Sequence, residues 1–402
     1  MPTAIIDLDL TKFPEEIRGL INYTHAFILI RLNGIPVGKK VLPVYNGRLN
    51  RKEIRDQLFE ASGWPLWEQW LSDYLELDTS SEVPSLPSVT VAVCTRDRPD
   101  DIKRCLESLM QLPDDGQEIL VVDNCPSTDA TFHIVKDFPV VRYIREDRPG
   151  SSAARNRALK EASHEIVAFT DDDAAPETGW LRALVRNFED PRVLCVTGQV
   201  MPLELENKAQ EWFEYYIPLG RGFQKIIFDG VSHNRFDVAR IGVSANMALR
   251  KDITSCVGNF DEVLGVGTPA RCGEDHDLFS RILAGGYKIV YEPHAVNWHR
   301  HRATWRELRQ TLLNYGIGVY AFWTRSLVVE GELGVIKLPF KWFFYEQLPN
   351  LIKSILQRPN CIPFDLLWME LAGCLTGPWY YLVSRNRMRG GHRKSHQSGD
   401  VT

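Results

Sequence analysis

Residues 89–110 read VTVAVCTRDRPDDIKRCLESLM, and this stretch sets the class of fold. Residues 89–94 are an apolar run of strand length. Residues 101–110 then place Ile102, Cys105, Leu106 and Leu109 at helical spacing. Strands that are buried on both faces of a sheet read as continuous apolar runs. We therefore predict an α/β fold, with a mostly parallel, Rossmann-like sheet that helices cover on both faces.

The alternation of strands and helices continues as far as residue 199. Further strands are predicted at 118–123, 140–144, 166–170 and 193–199, and helices at 129–137, 152–162 and 178–188. Beyond residue 200 the pattern becomes irregular and aromatic. A helix that starts at Glu274 and a strand at 288–291 then complete the predicted domain.

The chain divides into five parts by composition and pattern. Residues 1–77 are predicted to form a small α+β unit, with a strand at 25–32 and a helix over 50–75 that is interrupted near Gly63 and Pro65. A linker rich in Ser and Pro occupies 78–87, and the main α/β domain occupies 88–305. A helical C-terminal region at 306–390 and a disordered tail at 391–402 follow. Scaffolding, dimerisation and acceptor contact stay open as roles of the N-terminal unit.

The composition excludes several classes of protein. The chain has 402 residues, a formal net charge of −5 and 44% hydrophobic residues, which is typical of a globular protein and not of a nucleic-acid binder. Its eight cysteines form no C-x-x-C pair, so neither a structural zinc site nor a redox motif is indicated. The N-terminus does not resemble a signal peptide, and no apolar run is long enough to span a bilayer. We expect a cytoplasmic protein.

Polar residues follow four of the predicted strands. Thr95 and Arg96 end the first strand, Asp123 ends the second, the segment 145–150 follows the third, and the triplet Asp171–Asp173 follows the fourth. In open parallel α/β sheets, ligands bind beyond the carboxyl ends of the strands. These residues therefore predict a nucleotide site at one edge of the sheet.

The triplet Asp171–Asp173 is the sharpest local signal. It holds three carboxylates together at the end of a buried strand, where like charges repel one another. A hard divalent cation, Mn²⁺ or Mg²⁺, would remove that repulsion. Alternate residues of an extended segment share a side, so Asp171 and Asp173 could act together while Asp172 points away. A simple loop before the next helix is the alternative.

Five short motifs resemble glycosyltransferase family 2, whose fold is GT-A. They are VAVCTRDRP at 91–99, VVDN at 121–124, PGSSAARN at 149–156, FTDDD at 169–173 and GEDHD at 273–277. Each motif is weak alone, but their order and spacing are specific. The resemblance implies an inverting transferase that moves a single sugar from a UDP-, dTDP- or GDP-linked donor to a hydroxyl acceptor, which is a glycan or a lipid-linked molecule.

The resemblance also assigns roles to particular residues. Thr95 and Asp123 would contact the base and ribose, with Arg96 and Asp172 also at the donor site. Gly150, Arg155 and Asn156 would shape that site, with Arg155 near the base or phosphates. Asp171 would hold the ribose and support the metal, which Asp173 would bind. Asn246 would contact the acceptor, although 242–250 could equally be a buried turn and strand.

Two further features carry both a chemical and a structural interpretation. Glu274 and Asp275 begin a predicted helix, where carboxylates complement the helix dipole. At the edge of a donor pocket, Asp275 could instead take a proton from an acceptor hydroxyl. After the strand at 288–291, family members often carry a metal-binding histidine. His299 matches that place, and His301 is a substitute on the same face of an extended segment.

Three other functions are alternatives to a glycosyltransferase that moves single sugars. A dinucleotide-dependent oxidoreductase needs a glycine-rich turn after the first strand, and residues 95–99 contain no glycine. A processive polysaccharide synthase would carry a Q-x-x-R-W motif and spanning helices after Asp275, and neither occurs. A catalytically inactive scaffold that binds nucleotide-sugars stays open as the alternative.

The last hundred residues predict peripheral attachment to an anionic membrane surface. Aromatic segments at 338–345, 364–369 and 379–381 precede a basic stretch that contains Arg385, Arg387 and Arg389. Trp and Tyr favour the membrane–water boundary, and clustered bases are attracted to anionic lipid. This would place the protein on the inner face of the cytoplasmic membrane. The alternative is that these helices pack on the catalytic domain.

Overall fold

The structure is a computed structural model that describes residues 2–77 and 87–397, with side chains described as far as Arg389. Most of the predicted linker at 78–87 and the end of the predicted tail lie outside the described residues. The last helix continues to Gln397, beyond the predicted end of the helical region at 390.

The N-terminal unit is a three-stranded sheet with one helix on it. Strand β1 (Thr3–Asp9) runs parallel to β3 (His25–Leu32), which pairs antiparallel with β4 (Ile35–Pro43). The short strands β2 (Glu16–Ile17) and β5 (Leu49–Asn50) pair with each other, and α1 (Arg51–Tyr74) packs on β4. Gly63 has φ 49°, which interrupts α1 at the predicted place. Strand β1 was not predicted.

The main sheet has nine strands. They are β6 (Val89–Thr95), β7 (Glu118–Asn124), β8 (Val141–Glu146), β9 (Ile166–Asp171), β10 (Ala174–Pro176), β11 (Val193–Pro202), β12 (Ile226–Phe228), β13 (Asn246–Arg250) and β14 (Lys288–His299). Their order is β10-β14-β11-β13-β9-β6-β7-β8, with β12 paired to β14. Strands β6, β7, β8 and β9 are parallel to their neighbours in this group, as are β11 and β14.

Helices cover both faces of this sheet, as predicted. They are α2 (Pro99–Leu109), α3 (Ala130–Lys136), α4 (Ser151–Glu161), α5 (Trp180–Val185), α6 (Lys208–Tyr216), α7 (Ile253–Cys256) and α8 (Glu274–Ala284). On one face, Leu106 of α2 and Trp180 of α5 are buried in one hydrophobic cluster. On the other, Ala158 of α4 and Phe279 of α8 are buried in a second cluster. Apolar faces at helical spacing drive this packing.

Two strands differ from the sequence prediction, and both shape the site. Strand β13 is antiparallel to its neighbours β9 and β11 and separates them. Strand β14 continues to His299, whereas the prediction ended it at residue 291. The additional residues of β14 pair with β11, with a register shift at Gly198/Gln199. They also pair with β10, where His299 is opposite Ala174. That pairing carries His299 to the end of β9.

The C-terminal region is helical. It contains α9 (Trp305–Glu330), α10 (Lys337–Trp342), α11 (Leu348–Ile355) and α12 (Phe364–Gln397), with a π-helical turn at Phe343–Gln347. Helices α9 and α12 approach closely at glycines, since a Cβ atom on Gly316 would collide with the carbonyl of Glu370. Among the residues that the structure describes, no helix combines the length and apolar character needed to cross a bilayer.

Candidate active site

Asp171, Asp173 and His299 form one cluster at the edge of the main sheet. Asp171 ends β9, Asp173 follows two residues later, and His299 ends β14. Their ligand atoms all lie within 4.8 Å of one another. Nε2 of His299 is 3.1 Å from Oδ1 of Asp173. The sequence predicted these three residues as a group.

The charges within this cluster are strongly coupled. Burial, together with the charge of Asp173, raises the pKa of Asp171 above its ordinary value. Burial also opposes ionisation of Asp173, but His299 and nearby arginines hold its pKa well below the ordinary value. Burial would lower the pKa of His299, and the Asp173 carboxylate raises it instead. The charge of Asp173 therefore opposes ionisation of Asp171, and a bound cation would relieve that repulsion.

The donor atoms of the cluster suit a divalent metal. Two carboxylates and an imidazole are ligands that Mn²⁺ and Mg²⁺ accept, with carboxylate oxygen preferred. Nδ1 of His299 is buried without a hydrogen-bond partner, so its ring is not held by a second protein group. The residues fit the predicted metal.

Two arginines, Arg98 and Arg302, complete the cluster. Nη1 of Arg98 lies 2.8 Å from Oδ1 of Asp172 and 2.8 Å from Oδ2 of Asp173. Arg302 adds a longer contact of 3.4 Å to Oδ2 of Asp173. In the sequence, Arg98 lies in the motif at 91–99, and Arg302 lies three residues after His299. They place positive charge beside the predicted diphosphate position.

Asp172 lies next to the metal cluster and shares Arg98 with Asp173. Oγ1 of Thr95 donates a 2.7 Å hydrogen bond to its Oδ2. Burial raises the pKa of Asp172 to about 6 although Arg98 is close. Asp172 therefore ties β6 to the end of β9. Arg96 is half-exposed, with Nε 3.7 Å from Oδ2 of Asp97.

Asp123 is fully buried at the end of β7, next to Thr95 in the strand register. The Tyr143 hydroxyl donates a 2.9 Å hydrogen bond to its Oδ2, whereas its Oδ1 is buried without a partner. Burial raises the pKa of Asp123 above the ordinary value. A buried, unsatisfied carboxylate oxygen is costly unless a ligand donates to it. Tyr143 was not predicted.

Gly150 and Arg155 link the donor edge to α8. Gly150 has φ 124°, and its N–H donates to Oδ1 of Asn124 at 2.9 Å, which positions the start of α4. Arg155 is buried, with Nη1 2.7 Å from Oε1 of Glu274 and Nη2 3.9 Å from Oδ1 of Asp171. The predicted contact of Arg155 with base or phosphates is replaced by contacts with carboxylates.

The side chains of Asn156 and Asn246 both hydrogen-bond to the backbone of distant segments. Asn156 exchanges hydrogen bonds with the backbone of Phe260, at 2.9 and 3.0 Å, and so holds the segment after α7. Asn246 is fully buried. Its amide contacts Trp180 and the carbonyls of Gln199 and Ala295, so no atom is left for an acceptor. The buried turn and strand, the alternative interpretation of 242–250, matches the structure.

Glu274 and Asp275 begin α8 beside the long helix α9. Gly273, with φ 99°, precedes them, and a Cβ atom there would lie 2.6 Å from the carbonyl of Gly318. Glu274 is buried and paired with Arg155, which leaves its Oε2 without a partner. Asp275 is only half-buried and accepts from the backbone N–H of His276 at 2.8 Å. Within residues 2–77 and 87–389, Asp275 has no ion-pair partner.

His301 lies apart from the metal cluster. Its ring stacks on Phe213, with centroids 4.2 Å apart, and its Nε2 is 3.2 Å from Oε2 of Glu214. Glu214 is also paired with Lys39 of the N-terminal unit at 2.6 Å. The choice between the two histidines is therefore settled geometrically, because only His299 lies beside Asp171 and Asp173.

Residues 90–258 match the sequence model of "Glycosyl transferase family 2". This stretch contains β6 to β13, apart from Val89, and every predicted donor-site residue, but neither Asp275 nor His299. This part of the chain belongs to glycosyltransferase family 2. The family assignment agrees with the motif order and with the cluster of Asp171 and Asp173 at the end of β9.

Curated relatives and a solved structure share this domain. A pre-mycofactocin glycosyltransferase of Mycobacterium tuberculosis is 30% identical over 229 residues, which cover 56% of this chain and 45% of that protein. Glycosyltransferase AglE of Haloferax volcanii is 26% identical, covering 68% of this chain and 86% of that protein. The chain thus spans about half the length of the mycobacterial relative.

The fold is also that of a solved glycosyltransferase. The structure resembles the mannosyltransferase PcManGT from Pyrobaculum calidifontis with a TM-score of 0.50 and 17% identity, covering 78% of this chain and 94% of that one. That protein was solved with GDP-Man and Mn²⁺. At this identity the likeness establishes the fold, and it confirms the predicted GT-A architecture.

Proposed function

We propose that this protein transfers a single sugar from a nucleotide-sugar to an acceptor hydroxyl, with inversion at the anomeric carbon. The observation that carries the proposal is the position of Asp275. It is a half-buried carboxylate without an ion-pair partner in the described part of the chain. Its neighbour Glu274 is tied through Arg155 to Asp171 of the carboxylate–histidine cluster. Arg155 therefore links the helix that carries the proposed base to the proposed diphosphate site.

The donor nucleotide is assigned to the edge formed by β6, β7 and β9. Asp123 offers a buried carboxylate oxygen to a hydroxyl or N–H group of the nucleoside. Arg98 and Arg302 place positive charge where the diphosphate would lie. Thr95 holds Asp172 in place, and Gly150 shapes the start of α4. UDP-, dTDP- and GDP-linked donors are all compatible with these contacts.

The metal is assigned to Asp171, Asp173 and His299, and is Mn²⁺ or Mg²⁺. When bound, it supplies electrostatic stabilisation of the departing nucleoside diphosphate. The structure of the mannosyltransferase that this fold resembles contains Mn²⁺ together with GDP-Man, which supports the assignment.

Asp275 is assigned as the general base. It removes the proton of the acceptor hydroxyl while that oxygen attacks the anomeric carbon from the side opposite the nucleotide. Single displacement of this kind inverts the configuration. The buried pair of Arg155 and Glu274 fixes the start of α8 and so holds Asp275 in place. A positioned base is worth about 10²- to 10⁴-fold in rate.

Attachment to an anionic membrane surface is part of the proposal. The run from α10 to α11 packs beside α9 and α12, with Gln347 2.9 Å from Glu370. The run from α10 to α11 exposes apolar residues to solvent, and so does one face of α12. These residues are Ile336, Phe340, Phe344, Ile352, Ile355, Phe364, Trp368, Leu375 and Trp379. Seven basic and four acidic residues lie between Glu332 and Arg389. Exposed aromatics with excess positive charge are typical of membrane-surface helices.

A donor panel tests the proposed activity. The full chain is incubated with UDP-, dTDP- and GDP-sugars, with and without Mn²⁺, and thermal stability and release of nucleoside diphosphate are measured. Stabilisation together with metal-dependent release supports a transferase. Stabilisation without release, in the presence of a broad set of hydroxyl acceptors, would favour the inactive scaffold instead. Binding at a hundred times Kd adds about 2.7 kcal/mol.

A further inference from the structure

Arg221 lies on the loop that connects α6 to β12, and this loop packs against the main sheet. Its backbone N–H donates to the Tyr291 hydroxyl at 3.0 Å, and that hydroxyl lies 2.8 Å from the carbonyl of Gly222. On the other side, a Cβ atom on Gly220 would lie 2.8 Å from the carbonyl of Val200. The loop is therefore held at fixed distance from β11 and β14, and so is the arginine that it carries.

The guanidinium of Arg221 lacks the partner that the other arginines of the cleft have. Arg98, Arg155 and Arg302 each contact at least one carboxylate. In the described part of the chain, no carboxylate lies within 4.0 Å of Arg221. Its Nη1 donates to the carbonyl of Pro218, and its Nε is buried without a partner. Most of its five N–H donors are free.

The carboxylates of Asp275 and Glu214 lie near enough to Arg221 for their charges to act on its guanidinium. Burial lowers its pKa, and the nearby groups that oppose this include Tyr291, Tyr315 and the carboxylates of Asp275 and Glu214. Tyr315 of α9 also lies near enough to Asp275 and Arg302 for their charges to act on it. Arg221 thus shares its surroundings with Asp275, the proposed base, and with Tyr315 of α9.

Arg221 is partly buried, and a guanidinium stays protonated and is costly to bury without a counter-charge. Its planar fork matches the oxygens of phosphate and carboxylate groups. We propose that Arg221 binds an anionic group of the acceptor, so that the acceptor is a phosphorylated or carboxylated molecule. This inference rests on the proposed function, because Asp275 defines the acceptor side. The donor diphosphate has its own cations in Arg98 and Arg302.

Anion binding by the full chain tests the proposal directly. Inorganic phosphate and acetate are titrated at constant ionic strength in the presence of chelator, and thermal stability is measured. Without metal, the carboxylates of Asp171 and Asp173 repel anions from the donor site. Wild-type protein is compared with Arg221→Gln and with Arg240→Gln, a matched control at an exposed arginine for which no ion pair is found among the described residues.

We expect an anion to raise the Tm of wild type and of Arg240→Gln by about 2 °C or more near tenfold Kd, and to bind Arg221→Gln at least about tenfold more weakly. A response to phosphate alone indicates a phosphorylated acceptor, and a response to acetate as well indicates a carboxylated one. Equal binding to wild type and Arg221→Gln, or no binding to wild type, overturns the proposal.

Two further measurements separate this inference from the proposed function and from misfolding. If the wild-type protein has no transferase activity, the proposed function is refuted. The anion titration can still be interpreted, because it does not depend on activity. With an active acceptor, Arg221→Gln should raise the acceptor KM about tenfold, with little change in kcat or donor KM. If Arg221→Gln does not fold, Arg221→Lys replaces it. That variant keeps the charge without the fork, so it should bind the anion with intermediate affinity. Wild-type affinity in the lysine variant together with an unchanged acceptor KM would contradict the proposal.

Discussion

Nη1 of Arg155 lies 2.7 Å from Oε1 of Glu274, and this buried ion pair joins α4 to the first residue of α8. Arg155 also reaches Asp171 at 3.9 Å and Ser244 at 2.9 Å. One guanidinium thus connects the end of β9, the segment before β13 and the helix that carries Asp275. The proposed base is one residue from this connection.

Breaking this pair from one side should destabilise the fold. Arg155→Met leaves Glu274 buried and uncompensated, and we expect a loss of about 3–5 kcal/mol in the free energy of unfolding. Removing both charges in Arg155→Met/Glu274→Leu should recover most of that loss. Urea unfolding of the two single variants and the double variant measures the coupling. Additive losses in the double variant would show that the pair does not act as a unit.

Asp275→Asn should keep donor binding and lose at least about a hundredfold in turnover. The amide has nearly the shape of the carboxylate but accepts no proton. Steady-state transfer and nucleotide titration measure the two effects separately. Asp137→Asn, at an exposed carboxylate, serves as the control and should behave as wild type. Near-normal transfer by Asp275→Asn would show that another group is the base.

Asp173→Ala should abolish metal-dependent nucleotide binding. The variant removes one of the three metal ligands and the partner of His299. Calorimetric titration of nucleoside diphosphate with and without Mn²⁺ measures the change, and Asp137→Ala, on the exposed surface, is the control. Full wild-type activity in excess chelator would refute the metal site itself.

Phe340→Glu/Phe344→Glu should reduce flotation of the full chain with anionic liposomes by about tenfold or more. Both side chains are exposed on the run from α10 to α11, so the change should leave the fold intact. Trp67→Glu/Trp70→Glu, on the exposed face of α1, is the matched control. Substitution is preferable to truncation after Glu330, because α12 covers α9. Equal flotation of both variants and wild type would remove this surface as the anchor.

Glu118 predicts a pH dependence of stability. Burial raises its pKa, but hydrogen bonds from Thr90, Ser163 and Arg142 lower it overall from 4.5 to about 2. A lowered pKa in the folded state contributes stability that is present above pH 4.5 and is lost as the pH falls towards 2. Glu118→Gln should therefore cost on the order of 2–3 kcal/mol at pH 7 and much less at pH 3.

Urea unfolding at both pH values measures this difference. Glu60→Gln is the control, because Glu60 is exposed and no ion pair is found for it among the described residues. A cost that is equal at pH 7 and pH 3 would show that the charge of Glu118 does not stabilise the folded state.

The sequence by itself determined the parallel part of the sheet and the cluster at its edge. Strands β6, β7 and β9 are apolar runs that end in polar residues, and parallel strands put their carboxyl ends at one edge. Asp123, Asp171 and Asp173 therefore had to come together once the strands paired. The separation of Asp172 from its neighbours followed from the same alternation of side chains in extended backbone.

Tertiary structure alone decided the rest of the site. His299 reaches Asp173 because β14 extends past residue 291 and pairs with β10, and no local pattern encodes a pairing between such distant segments. The same holds for Asn246, which the antiparallel insertion of β13 buries, and for Arg221, whose loop is held by its contact with Tyr291. Local periodicity specifies elements and their ends, whereas long-range packing decides which side chains are paired and which stay free for a ligand.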